Sequence, residues 1–172
     1  MKYLALAATL AMPLGAAYAA GGGDETAPTK PKCEKGFVYD KKTKECVEAE
    51  SSLDTDTLYQ TVRELAYAGR YLDAQDVLAV MPQGDDRTLT YLGFTNRKLG
   101  HGEIAMDYYR QALAVNPGNI LARSYMAQGF VEQGRVADAL AELRAIRAYG
   151  GAGTWAEASL KKAIATGHTY NY

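Results

Sequence analysis

The chain is 172 residues long, with 19 Lys and Arg against 20 Asp and Glu and a formal net charge of −1. That length holds one domain with appendages. Near-neutral, interspersed charge gives no electrostatic case for general nucleic-acid or anionic-membrane binding. Tyrosine is over-used, with 13 Tyr beside 3 Phe and 1 Trp. Its apolar ring with a polar tip suits helix packing and contact surfaces alike.

In chain order, Met1-Lys2 is a short basic start and Tyr3 to Met12 an apolar run rich in Leu and Ala. Pro13 and Gly15 break it before Ala17-Tyr18-Ala19. A basic end, an apolar centre and small residues before the cut describe a secretory signal peptide, residues 1–19, cleaved between Ala19 and Ala20. An uncleaved transmembrane anchor is the lesser reading, because the run is short for a bilayer span. Lipidation calls for Cys at the cleavage point, where Ala20 and Gly21 stand. The short, Ala-rich leader points to a bacterium and places the mature chain in the periplasm or beyond. No later segment has membrane-spanning length, so no membrane anchor is expected after cleavage.

Residues 20–32 are mostly Gly, Pro, Thr and charge, the composition of a flexible linker. Residues 33–47 follow, containing Cys33 and Cys46, the only cysteines of the chain. Phe37-Val38-Tyr39 has strand chemistry and Asp40 to Thr43 turn chemistry. Together they predict a small hairpin closed by a Cys33–Cys46 disulfide, which fits an exported chain. Such a bond contributes roughly 3 kcal/mol in the chain-entropy model, and a hairpin with so little core needs it. A redox pair and a metal site are the alternatives. The spacing is not C-x-x-C, and no His or further Cys completes a zinc set.

Residues 48–167 carry helical periodicity, with 168–172 as a polar-aromatic tail. Self-similarity is the strongest signal in this region. The central segment reads Leu89-x-x-Leu92-Gly93, then Gly100, Ala105, Tyr109, Ala112 and Pro117. Further on stand Met126-Ala127, Phe130, Gly134, Ala139, Leu143 and Ile146, with Gly151 in place of the proline. Upstream stand Leu58, Leu65, Gly69, Ala74, Leu78 and Met81, in a repeat shortened around Pro82 to Asp86. Small residues at Gly93/Ala127 and Ala105/Ala139 allow close helix approach, and Leu78, Tyr109 and Leu143 fill the space between pairs. Gly69, Gly100 and Gly134 end the first helix of each pair in a left-handed conformation. Helices are predicted over 54–67, 71–81, 86–99, 102–115, 119–133 and 136–148. A seventh is expected to start at Thr154, with Glu157 completing a capping box. Trp155, Leu160 and Ile164 would close the last pair, while Lys161 and Lys162 face water.

These positions resemble the signature of the tetratricopeptide repeat (TPR) family over about 100 residues, most specifically from Leu89 to Pro117. Asn96 departs from it, standing where the motif has Tyr. The resemblance implies an all-α fold: a short right-handed superhelical stack of about three antiparallel helix pairs plus a C-terminal capping helix, here preceded by the disulfide hairpin. Such stacks share stability between neighbours and need terminal caps. The resemblance also implies a concave groove lined by the first helix of each pair, holding a peptide or a partner helix. Its positions here are Tyr59, Arg63 and Tyr67; Arg87, Thr90, Phe94, Arg97 and Lys98; and Ser124, Gln128 and Glu132. The central set is basic and aromatic, which suits an acidic or carboxylate-bearing segment, although ordinary solvated helix faces look the same. Chaperone-binding members carry a clamp of Lys, Asn and Arg. The matching positions are Tyr59, Arg63, Phe94, Leu121 and Tyr125, so that clamp is missing.

Enzymatic chemistry finds little support. His101 sits in a predicted turn and His168 in the tail, each without a nucleophile or carboxylate at a recognisable spacing. No G-x-S-x-G, H-E-x-x-H or phosphate-binding loop occurs. Gly21 to Gly23 belong to the linker, and Asp85-Asp86 start a helix, where carboxylates favour the dipole. No metal or cofactor is expected. The sequence therefore predicts a periplasmic adaptor or scaffold that binds protein or peptide. A self-assembling structural protein and a small-molecule binder are the alternatives.

Overall fold

The computed structural model describes residues 32–170. The predicted leader and nearly all of the linker lie outside these residues. The described chain begins with an antiparallel hairpin, β1 (Phe37–Asp40) and β2 (Glu45–Glu48). Seven helices follow: α1 (Thr55–Tyr67), α2 (Tyr71–Val80), α3 (Asp86–Lys98), α4 (Gly102–Val115), α5 (Ile120–Glu132), α6 (Val136–Ala148) and α7 (Trp155–Thr166). The first six fall within one residue of the predicted bounds. The architecture is the expected one: a stack of antiparallel helix pairs with a disulfide-closed hairpin in front.

Two local devices set these bounds. Helices α1, α3 and α5 end in the same glycine turn. Gly69, Gly100 and Gly134 have φ of +76°, +88° and +72°. The next residue in each case donates back to the last turn: Arg70 N to Leu65 O, His101 N to Asn96 O and Arg135 N to Phe130 O, at 2.8–2.9 Å. This pairing satisfies the orphaned carbonyls and reverses the chain so sharply that the next helix starts at once. The odd helices instead start on a side-chain cap. Asp54, Asp85, Asn119 and Thr154 each accept from a backbone N–H of the first turn. Helix α6 also ends at a left-handed glycine. Gly150, not Gly151, is the left-handed residue, at φ +82°. Gly151 is small for a different reason, since a Cβ there would meet Ile146 O at 2.9 Å.

The odd helices α1, α3, α5 and α7 pack side by side, whereas α2, α4 and α6 touch odd helices but not one another. A stack joined along one layer and splayed along the other curves with the joined layer inside. The odd helices therefore form the inner face. Between the layers lie Leu78, Tyr109 and Ile146, all fully buried, with Ala74, Ala105 and Ala139 at the close crossings.

Both ends of the stack are covered. Val38 of β1 is fully buried within the main core, and the hairpin packs on α1. The Cys33–Cys46 bond is formed, with Cα atoms 5.7 Å apart. Arg70 Nη1 donates to Cys33 O at 3.4 Å, and Lys35 lies 3.3 Å from Asp76. Helix α7 closes the other end on Leu160 and Ile164. Its cap differs slightly from the predicted box. Thr154 Oγ1 accepts from Glu157 N at 3.4 Å, but Glu157 Oε2 accepts from Gly153 N at 2.8 Å, one residue before the expected partner.

Candidate functional site

The inner face is built around a ladder of rings that crosses all four odd helices. Tyr59 of α1 meets Tyr91 of α3 edge-on at 5.6 Å between centroids. Tyr91 meets Tyr125 of α5 at 6.2 Å, and Tyr125 meets Trp155 of α7 at 5.9 Å, both edge-on. Phe94 packs beside Tyr125 at 4.6 Å. Tyr91, Phe94 and Tyr125 are buried, while Tyr59 and Trp155 are half-buried at the two ends. Edge-to-face pairs orient ring edges onto ring faces and rigidify the row. Each helix supplies its ring because its apolar stripe must meet both the neighbouring odd helix and its even partner.

The predicted groove residues divide into three groups. Tyr59, Arg63, Arg87, Phe94, Arg97 and Lys98 cluster along the ladder, with Glu132 joined to them through Arg97. Arg87 lies over the Tyr59 ring at 5.0 Å and Arg63 over the same ring at 5.9 Å. Phe94 is flanked by Arg97 and Lys98. Tyr67 is exposed at the end of α1. Thr90, Ser124 and Gln128 are buried and make internal hydrogen bonds. Thr90 Oγ1 donates to Asp86 O at 2.6 Å and accepts from Asn119 Nδ2 at 3.0 Å. Ser124 Oγ donates to Ala156 O of α7 at 2.9 Å. Helix α7 thus covers part of the face expected to be open.

The arginines are not free cations. Arg87 Nη1 is 2.7 Å from Asp56 Oδ1, and Asp85 lies at 3.4 Å. The Asp56 hydrogen bond raises the Arg87 pKa against a modest burial penalty. Arg97 is buried, its side chain 2% exposed, and Nη1 is 2.5 Å from Glu132 Oε1. Burial alone would lower its pKa, but the net direction is up, with the Glu132 carboxylate as its counter-ion. Its Nε and Nη2 have no hydrogen-bond partner, nor does the Tyr109 hydroxyl beside them. Burial pushes the Tyr109 phenol up to about 12. Lys98 has a lowered pKa from burial and from the neighbouring Arg97 charge. The face is therefore aromatic with charges largely matched by the chain's own carboxylates, and not a bare basic patch.

Two open cavities flank Tyr59 and Arg87. One, about 350 Å³, is lined by Asp86, Thr90, Asn119 and Leu121. The other, about 620 Å³, lies towards the hairpin turn, between Lys41, Lys42, Asp54 and Asp56. Both are open to solvent, unlike the enclosed sites that bury most of a small ligand. Among the described residues no group of three or more His, Cys, Asp or Glu is placed to hold a metal ion. His101 Nδ1 pairs with Asn96 Oδ1 at 3.2 Å in its turn, and His168 Nδ1 lies 3.0 Å from Thr166 O.

Sequence reasoning missed Tyr91, Asp56 and the role of Trp155 in the ladder. One signal was available: an aromatic residue recurs about once per repeat on the first helix. The tail was also read only as polar and aromatic. It returns onto α5, where Thr169 Oγ1 donates to Glu132 Oε1 at 2.6 Å and Tyr170 N donates to Gln128 Oε1 at 2.8 Å. Comparisons with protein-family models, curated proteins and solved structures find no match to this chain.

Proposed function

We propose that the chain is an exported interaction module of tetratricopeptide type, an adaptor or scaffold of the bacterial envelope without catalytic activity. Its partner is an extended peptide or a helix laid across the inner face. The observation that carries this reading is the ladder Tyr59–Tyr91–Tyr125–Trp155. The buried middle rings hold the odd helices in line, and the half-buried ends Tyr59 and Trp155 present ring surface for contact at small entropic cost. The leader pattern and the formed Cys33–Cys46 bond support export. An acidic partner would have to replace Asp56 at Arg87 or approach Lys98, which makes the Lys98 rim the place where charge enters recognition.

Charge reversal tests the face at Lys98, which is half-buried at its rim. Arg97 is unsuitable because a carboxylate there would be buried beside Glu132. Affinity purification of tagged Lys98→Glu from the native envelope should lose partners that wild-type retains. Arg144→Glu, on exposed α6 surface, should keep them. Unchanged capture by Lys98→Glu would overturn the proposal.

A further inference from the structure

We propose that residues 167–170, which follow α7, are a resident occupant of the inner face, and that a partner must displace them by presenting the same chemistry: a non-helical segment with a hydroxyl residue followed by an aromatic. This rests on the inner face being the recognition surface.

The chain is turned onto that face by Gly167. Its φ of +72° ends α7 in a left-handed cap, with Gly167 N bonded to Ala163 O at 2.8 Å. Thr169 and Tyr170 then run over α5. The seat they meet is prepared from below. Gln128 is fully buried, and its Nε2 donates to Ser124 Oγ at 3.4 Å. Ser124 Oγ in turn donates to Ala156 O at 2.9 Å. This buried relay from α7 through α5 holds the Gln128 amide with Oε1 aimed at the passing backbone. Tyr170 N supplies the donor at 2.8 Å. With the tail seated, this amide is shielded from water and paired, and the relay beneath it keeps Oε1 positioned for a backbone donor.

The second contact is made through Glu132. One oxygen, Oε1, accepts both the Thr169 hydroxyl at 2.6 Å and the buried Arg97 guanidinium at 2.5 Å. Occupancy is thereby tied to the charge balance inside the stack. Tyr170 rests its ring against Lys162 Nζ, 4.7 Å from the centroid. Recognition uses one backbone N–H, one hydroxyl and one ring. Another segment of the same pattern supplies all three, and so few contacts leave the tail displaceable.

The test uses the full chain. Thr169→Val with Tyr170→Pro removes the hydroxyl and the N–H donor. A fluorescent peptide of residues 167–172 is titrated into this variant and into wild-type. The variant should bind it at least tenfold more tightly, because its own tail no longer competes. Equal affinity for both chains, or no binding to a variant with wild-type circular dichroism and melting, would overturn the proposal. It would leave the partner-capture test at Lys98 unaffected. Amide exchange in the unaltered chain gives a second reading. The Tyr170 N–H should exchange at least tenfold more slowly than in a free peptide; exchange at the free-peptide rate overturns the seat. A doubled mass by light scattering would instead place a second copy's tail there and overturn the intramolecular proposal.

Discussion

A Cβ added at Gly93 would stand 2.6 Å from Cε1 of Tyr109, a ring that is fully buried between α3 and α4. The ring is locked on all sides and cannot retreat. Gly93→Ala should therefore destabilise the stack by about 1–3 kcal/mol through overpacking. Gly129→Ala meets only the flexible Cε of Met106 and, at 3.1 Å, the Arg97 side chain. Its cost should be the smaller of the two. Urea unfolding followed by helical circular dichroism ranks them, and the reverse order would contradict this packing.

Arg97 and Glu132 should respond unequally to mutation. Arg97 already carries two buried nitrogens, Nε and Nη2, without partners. Arg97→Met keeps the volume and removes that burden, so it should change stability by no more than about 1 kcal/mol. Glu132→Ala leaves the buried guanidinium with no counter-ion and should cost more. Paired urea titrations give the comparison.

The cap of α7 should weaken in acid. The Gly153 N–H and Arg147 both favour ionised Glu157 and lower its pKa below the ordinary carboxylate value. A lowered folded-state pKa stabilises above the unfolded value, near about 4.3, and that gain disappears as pH falls through the folded value. Wild-type should melt higher than Glu157→Gln at pH 7, and the gap should close below about pH 4.

Removing the disulfide should leave the helices in place. Cys33→Ser with Cys46→Ser frees a hairpin whose main anchor is Val38 in the stack core. The helical signal should persist, with stability lower by up to about 3 kcal/mol. Proteolysis should then concentrate between β1 and β2. Loss of the whole helical transition would mean that the hairpin nucleates the stack.

Helix bounds were readable because their causes are local. A glycine turn at Gly69, Gly100 or Gly134 needs only adjacent residues, and so do the caps at Asp54 and Asp85. The disulfide was readable from the cysteine count and from the strand and turn chemistry between Cys33 and Cys46. Features made by distant partners were not. Arg97 looks like a groove cation in sequence, yet Gly129 on another helix leaves the space that buries it. Ser124 and Gln128 occupy groove positions, but α7 and the tail cover them. The docking of Val38 likewise depends on α1, which no local pattern announces.

Site-specific photo-cross-linking tests recognition by the inner face most directly. A photoreactive residue is placed at Lys98 or Arg87 on that face, and at Arg144 on α6, in protein expressed in its native host. A discrete partner adduct from Lys98 and Arg87, absent from Arg144, is the expected result. Adducts from Arg144 alone, or equal labelling from all three positions, would contradict it.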